Sequence, residues 1–263
     1  MNRKLYLGVL WSVTVVCIVI GLYVNLHWSR NYYEEEYAPA EEYSPEADPE
    51  VYVQEGMEPF TKVTVDGFLG EIIICAGDAY SCQYSPYSDQ YPGEFSYEED
   101  GIVVVQQRPQ TNLKWSDGAG GSLYITVPYG EYLAGVDLTV DYGTVRLESI
   151  NAETVTVTDR MGNVELHDCA LAAADIYINM GDLNADMLQY TQFIANLEMG
   201  NAWVHTVNET SDGQIDLTTE LGTISYNGED NKGTSLGIYM GDSTASLIRI
   251  HNRMGNIGLS TDY

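Results

Sequence analysis

Glu148, His167, Asp186 and His205 follow one another at intervals of 19 residues. Imidazole and carboxylate together are the donors of zinc and related transition-metal sites. If equal spacing in the chain means stacking in space, these side chains would lie about 5 Å apart, one above the next. The competing reading is structural. The same position closes a strand and opens a polar return, where polar side chains are expected in any case. Spacing alone does not converge ligands tetrahedrally, so the expectation is a polar column without a metal. His167 and Cys169 formally pair a base with a nucleophile, yet alternate residues of a strand share a face without orienting a proton transfer, and no third group is evident. Cys169 reads as a small apolar filler. Glu148, Glu165 and Asp186 are candidates for glycoside chemistry, which needs two carboxylates at a defined separation in a cleft. The repeats carry no long loops to wall such a cleft. Cys75 and Cys82 are a possible disulfide at the base of a loop. No catalytic residue, metal ligand or cofactor is assigned.

What must position these residues is a repeat. Gly143, Gly162, Gly181, Gly200, Gly222, Gly241 and Gly255 are separated by 19, 19, 19, 22, 19 and 14 residues. A period near 20 marks a solenoid, in which each unit buries its apolar side only against its neighbours. Apolar residues recur seven and five before the glycine and two and four after it, as Val155, Val157, Val164 and Leu166 do around Gly162. Such alternation describes half-buried strands, so each repeat reads as strand, glycine corner, strand and polar return. The glycine suits a bend with close backbone approach. After it stand Thr144, Asn163, Asp182, Asn201, Thr223, Asp242 and Asn256. Short polar side chains there can stack into a ladder, and a calcium reading lacks the several carboxylates it needs. Before it stand Tyr142, Met161, Met180, Met199, Leu221, Met240 and Met254. Thioethers favour Cu(I), but the parity of this column matches the inward ones, so it is expected to fill the core.

The fold class is therefore all-β: a single-stranded-repeat β-solenoid, β-helix-like, with coils of about 19 residues. It is expected over residues 60–263, irregular over 60–130 and regular over 131–263, with an exposed loop over 76–99. Residues 5–26 hold no charge, follow Arg3 and Lys4, and are long enough to span a bilayer as one helix. The positive-inside bias leaves residues 1–4 as a cytoplasmic stub and places the bulk outside, in the manner of an uncleaved anchor. Residues 31–59 carry ten acidic residues, four prolines and five tyrosines with no basic residue, and read as an extended tether. The formal net charge is −28, from 39 acidic and 11 basic residues. Nucleic-acid binding calls for the opposite sign.

Residues 123–130, Leu-Tyr-Ile-Thr-Val-Pro-Tyr-Gly, lead into residues 136–147, Val-Asp-Leu-Thr-Val-Asp-Tyr-Gly-Thr-Val-Arg-Leu. This passage resembles the bacterial DUF4097-type family of β-strand-repeat proteins, which carries an adhesin label. The resemblance covers residues 60–263. It implies a membrane-anchored, extracytoplasmic β-solenoid and brings no catalytic residues with it. The expected function is a non-enzymatic module for binding, adhesion or scaffolding at the bacterial cell envelope. Its partners would be an envelope polymer, a membrane protein, or a second copy meeting an open C-terminal coil at residues 248–263. The alternatives are an envelope-sensing accessory protein acting through a membrane partner, and a carbohydrate-active β-helix enzyme.

Overall fold

The computed structural model describes residues 52–55, 57–85, 93–98, 101–106, 121–207, 213–231, 233–240 and 245–261. All belong to one compact unit, Asp48–Tyr263. Every regular element among them is a β-strand, and the strands join in one hydrogen-bonded network. No helix among the described residues is long and apolar enough to cross a membrane. The expected span at residues 5–26, and the tether up to residue 51, lie outside the described residues.

One coil shows how sequence becomes structure. Strand Asn151–Asp159 forms a first arm and strand Gly162–His167 a second. The first arm pairs in parallel with Gly135–Glu148 on one side, placing Val155 beside Val136, and with Ala170–Met180 on the other, placing Val157 beside Ile176. The second arm pairs Val164 with Val145 and with Leu183. Residues 19 apart are thus stacked in register, and each apolar column becomes a ladder. Val65, Leu138, Val157, Ile176, Ala195, Ile250 and Leu217 form one such ladder, and Ile72, Val145, Val164, Leu183, Ala202, Ile257 and Ile224 another; all are buried. At about 1.5–3 kcal/mol per large side chain removed from water, these ladders dominate cohesion.

The corner needs glycine for two reasons at once. Gly181 has φ 147°, and a Cβ on it would lie 1.6 Å from the carbonyl oxygen of Gly162 in the neighbouring coil. Beside the glycines the expected ladder forms. Asn163 Oδ1 accepts from the Asp182 N–H at 3.0 Å, Asp182 Oδ1 from Asn201 at 2.7 Å, Asn201 Oδ1 from Asn256 at 3.1 Å, and Asn256 Oδ1 from Thr223 at 3.0 Å. A second corner follows the second arm. There Ser149, Asp168, Met187 and Asn227 all have left-handed backbones, φ 49–55°. Three of the four have short polar side chains, two of them the Asp and Asn that tolerate this region best.

Five expectations are corrected. The order of the ladder, 201 to 256 to 223, is the first. Strand Leu247–Met254 lies between Leu183–Met199 and Gly213–Leu221, and Ile257–Thr261 lies between Ala202–Thr206 and Ile224–Tyr226. The C-terminal coil is therefore an inner layer with both edges paired, not an open end. Second, the repeat around Gly241 is not a coil. Strand Ser235–Met240 runs antiparallel to Gly213–Leu221, and Gly241 itself lies outside the described residues. Third, the methionine column faces outward, with Met161, Met180, Met199, Leu221 and Met254 all exposed. Inward alternation stops three residues before the glycine, and the chain then turns, so parity does not carry across the corner. Fourth, the stretch read as a loop at 76–99 contains strands Ser81–Ser85 and Gly93–Glu98, with Cys82 and Tyr84 in the core. Fifth, the folded part begins inside the stretch read as tether: Tyr52–Glu55 pairs antiparallel with Ser81–Ser85, and Met57 is buried.

Candidate functional site

The outward face of the second arm gathers most of the residues singled out for chemistry. Its columns stand three and five residues after the corner glycine. In the first lie Arg146, Glu165, Asn184, Trp203, Gly258 and Ser225, one per coil. In the second lie Glu148, His167, Asp186, His205 and Ser260.

The stacked set predicted from 19-residue spacing does come together. Asp186 Oδ1 lies 2.8 Å from His205 Nδ1 and its Oδ2 lies 3.4 Å from His167 Nδ1. The hydrogen bond from His205, then the charges of both imidazoles, hold the Asp186 carboxyl below the usual carboxylate range. Each oxygen thus faces a different coil, which is a bridging arrangement rather than a convergent one. Among the described residues no group of three or more His, Cys, Asp or Glu is placed to hold a metal ion. Glu148 and Glu165 are turned elsewhere. Arg146 lies 2.8 Å from Glu165, 3.2 Å from Glu71 and 3.7 Å from Glu148, one cation serving three carboxylates. The three carboxylates weighed for glycoside chemistry are therefore divided between an arginine and two histidines.

Cys169 is buried, and its thiol is placed 3.4 Å from both the Leu147 and the His167 carbonyl oxygens. Burial pushes it up to about 11, which suits a core filler and not a nucleophile. Cys75 and Cys82 are both free, so the disulfide is not formed. The reason is register. Strand Gly121–Pro128 runs between their strands, pairing Thr126 with Cys75 on one side and Ile125 with Cys82 on the other. Cys82 then faces the core, where burial pushes it up to about 12.

Trp203 is the residue that sequence reasoning passed over. Its cross-strand partner is Gly258, and a Cβ there would lie 2.2 Å from Trp203 Cε3. The Cε3–Cζ3 edge of the indole therefore abuts the glycine, while 49% of the residue remains exposed. Around it runs an open groove of about 590 Å³, lined by Asn184, Asp186, His205, Ser225 and Ser260 among others. An aromatic plane edged by amide, hydroxyl, imidazole and carboxylate is the arrangement that receives a flat ligand bearing many hydroxyls. The available signal was a lone tryptophan and a lone glycine at the same outward position of two repeats.

A family described as DUF4097, Toastrack DUF4097, matches residues 102–257, more than half of the chain. No curated protein is a match. A solved "putative cell adhesion protein" from Clostridium sporogenes is similar over 81% of this chain and 100% of its own, with a TM-score of 0.53 at 16% identity. A "putative adhesin" from Bacteroides fragilis covers 81% of this chain and 97% of its own, with a TM-score of 0.41 at 11% identity. At 16% identity the likeness to the Clostridium sporogenes protein is one of fold.

Proposed function

The chain belongs to the Toastrack DUF4097 family, and from that premise we propose that it is a non-enzymatic binding module, anchored in the bacterial cell membrane by residues 5–26 and displayed outside on an acidic tether. The uncharged run behind Arg3 and Lys4 supports the anchor. The name of the Clostridium sporogenes fold relative, a "putative cell adhesion protein", agrees with a binding role. The groove on the second arm is the binding surface, and its ligand is a saccharide polymer of the envelope. One observation carries this reading: the Cε3–Cζ3 edge of the Trp203 indole is seated against Gly258 while 49% of the residue stays open to solvent beside the groove. A sugar ring stacked there would meet Asn184, Asp186, His205 and Ser260 at its edge. Because coils repeat along the groove, successive residues of a polymer would lie along one continuous face.

The test uses the full chain in detergent, co-sedimented with purified insoluble cell-wall polymer. Trp203→Ala should lower retention at least tenfold, the scale of about 1.4 kcal/mol or more expected for loss of an aromatic anchor. Trp203→Phe should retain part of it. Equal retention of wild type and Trp203→Ala would remove Trp203 from the site. Failure of wild type to sediment would exclude a wall polysaccharide and leave a membrane protein partner as the reading to pursue.

A further inference from the structure

The exposed methionine column forms a continuous row. Met180 is paired with Met199, Met199 with Met254, and Met254 with Leu221, each in an adjacent coil. Met180, Met199 and Met254 are 42%, 42% and 37% exposed. The corner does not require methionine for packing, because Leu221 and Tyr142 fill the same position in other coils. Three thioethers are thus held side by side on the surface where other apolar residues would serve the fold.

We propose that Met180, Met199 and Met254 form a binding site for a soft monovalent cation, Cu(I) or the chemically similar Ag(I). Thioether sulfur is a neutral, polarizable donor that prefers such cations over hard ones. Parallel coils hold the three side chains about 4.8 Å apart. Methionine is unbranched with three rotatable bonds, so the outer two sulfurs can lean toward the central one to give a three-sulfur set. The charges alongside do not oppose it. Arg253 is neutralised by Glu198 at 3.1 Å and Glu220 at 3.7 Å. The net charge of −28 raises the local concentration of any cation. This row lies one residue before the corner and the Trp203 groove three to five residues after it, so the two readings stand or fall separately.

The test is a titration of the full chain in detergent, reduced and with methionine methyl groups carbon-13 labelled. Ag(I) serves as the redox-stable probe, and Cu(I) is added anaerobically against a bicinchoninate competitor. The methyl resonances of Met180, Met199 and Met254 should shift together, while that of Met57, buried in the core, stays in place. Combined Met180→Leu, Met199→Leu and Met254→Leu should weaken binding at least tenfold, with thermal unfolding unchanged. Met199→Leu alone, removing the central donor, should weaken it more than Met161→Leu at the margin of the row. Cysteines are common to all variants, so thiol binding cancels in the comparison. Unmoved methionine methyls at saturating Ag(I), or equal Cu(I) affinity in wild type and Met199→Leu, would overturn the site.

Discussion

At the residue scale the most informative position is the inward one three residues before the corner glycine. It is apolar in three coils, at Val140, Ile178 and Leu197, and polar in three others. Asn252 donates from Nδ2 to the Gly200 carbonyl at 2.8 Å, and Thr219 from Oγ1 to the Gly255 carbonyl at 3.0 Å. In both, a buried side chain satisfies the corner carbonyl of the adjoining coil. Asp159 is the third. It accepts from the Met161 N–H at 3.0 Å through Oδ1, while its buried Oδ2 has no partner. Burial pushes Asp159 up to about 7. As a carboxylic acid it can do what Asn252 and Thr219 do; as a carboxylate it cannot. Below about pH 4 the side chain is protonated whether the protein is folded or not, so it imposes no cost. Between about pH 4 and 7 the unfolded chain ionises first, and stability falls as pH rises. Above about pH 7 the loss is complete. Asp159→Asn supplies the donor at every pH, and Asn252 shows that the column accepts this side chain. It should be near neutral at pH 4 and stabilising at pH 8 in urea unfolding. An equal difference between the two proteins at both pH values would show that Asp159 does not titrate in this window.

At the element scale the chain does something that period alone does not encode. After Ala202–Thr206 it skips one layer, forms Gly213–Leu221, turns back through Ser235–Met240, and only then fills the skipped layer with its last coil. The glycine and apolar columns were legible in the sequence because side-chain alternation reports directly which face is buried, as at Val155, Val157, Val164 and Leu166. The methionine column was misread because alternation is a property of a straight strand and the corner resets it. The Gly241 repeat was misread because an antiparallel strand alternates as a parallel one does. The order of layers left only a trace, the spacings of 22 and 14 in place of 19. Trp203 was missed because a single outward aromatic has no periodic signature. The skipped layer has a measurable consequence. A chain ending after residue 246 loses the strand on which both Leu183–Met199 and Gly213–Leu221 depend. Repeat proteins gain most of their stability from such nearest-neighbour interfaces. Truncation there should abolish cooperative thermal unfolding by circular dichroism, as loss of an end coil would not. A cooperative melt within a few degrees of the intact protein would contradict the layer order.

At the scale of the whole molecule, both ends of the stack are closed by reversing direction. Parallel coils give way to antiparallel partners at Ser81–Ser85 and Gly93–Glu98 at one end, and at Glu229–Asn231 and Ser235–Met240 at the other. Among the described residues, association of two copies through strand edges would begin at Tyr52–Glu55, Gly93–Glu98, Glu229–Asn231 or Ser235–Met240, since the last coil is paired on both edges. Charge acts against it. Residues 60–263 alone hold 29 acidic and 8 basic residues. Stacking in register sets like positions about 4.8 Å apart, so repulsion within the molecule is built into the same geometry that aligns the core. The opposing contribution comes from surface pairs such as those of Arg146 and Arg253, and exposed pairs contribute about 0–1 kcal/mol each. Repulsion should therefore prevail. Raising salt from about 0.01 to 0.15 M shortens the screening length from about 30 to about 8 Å, so the melting temperature should rise by several degrees at pH 8. A fall on adding salt would mean that the Arg146 and Arg253 clusters outweigh the repulsion, and that the few cations of this chain are placed where they stabilise it most.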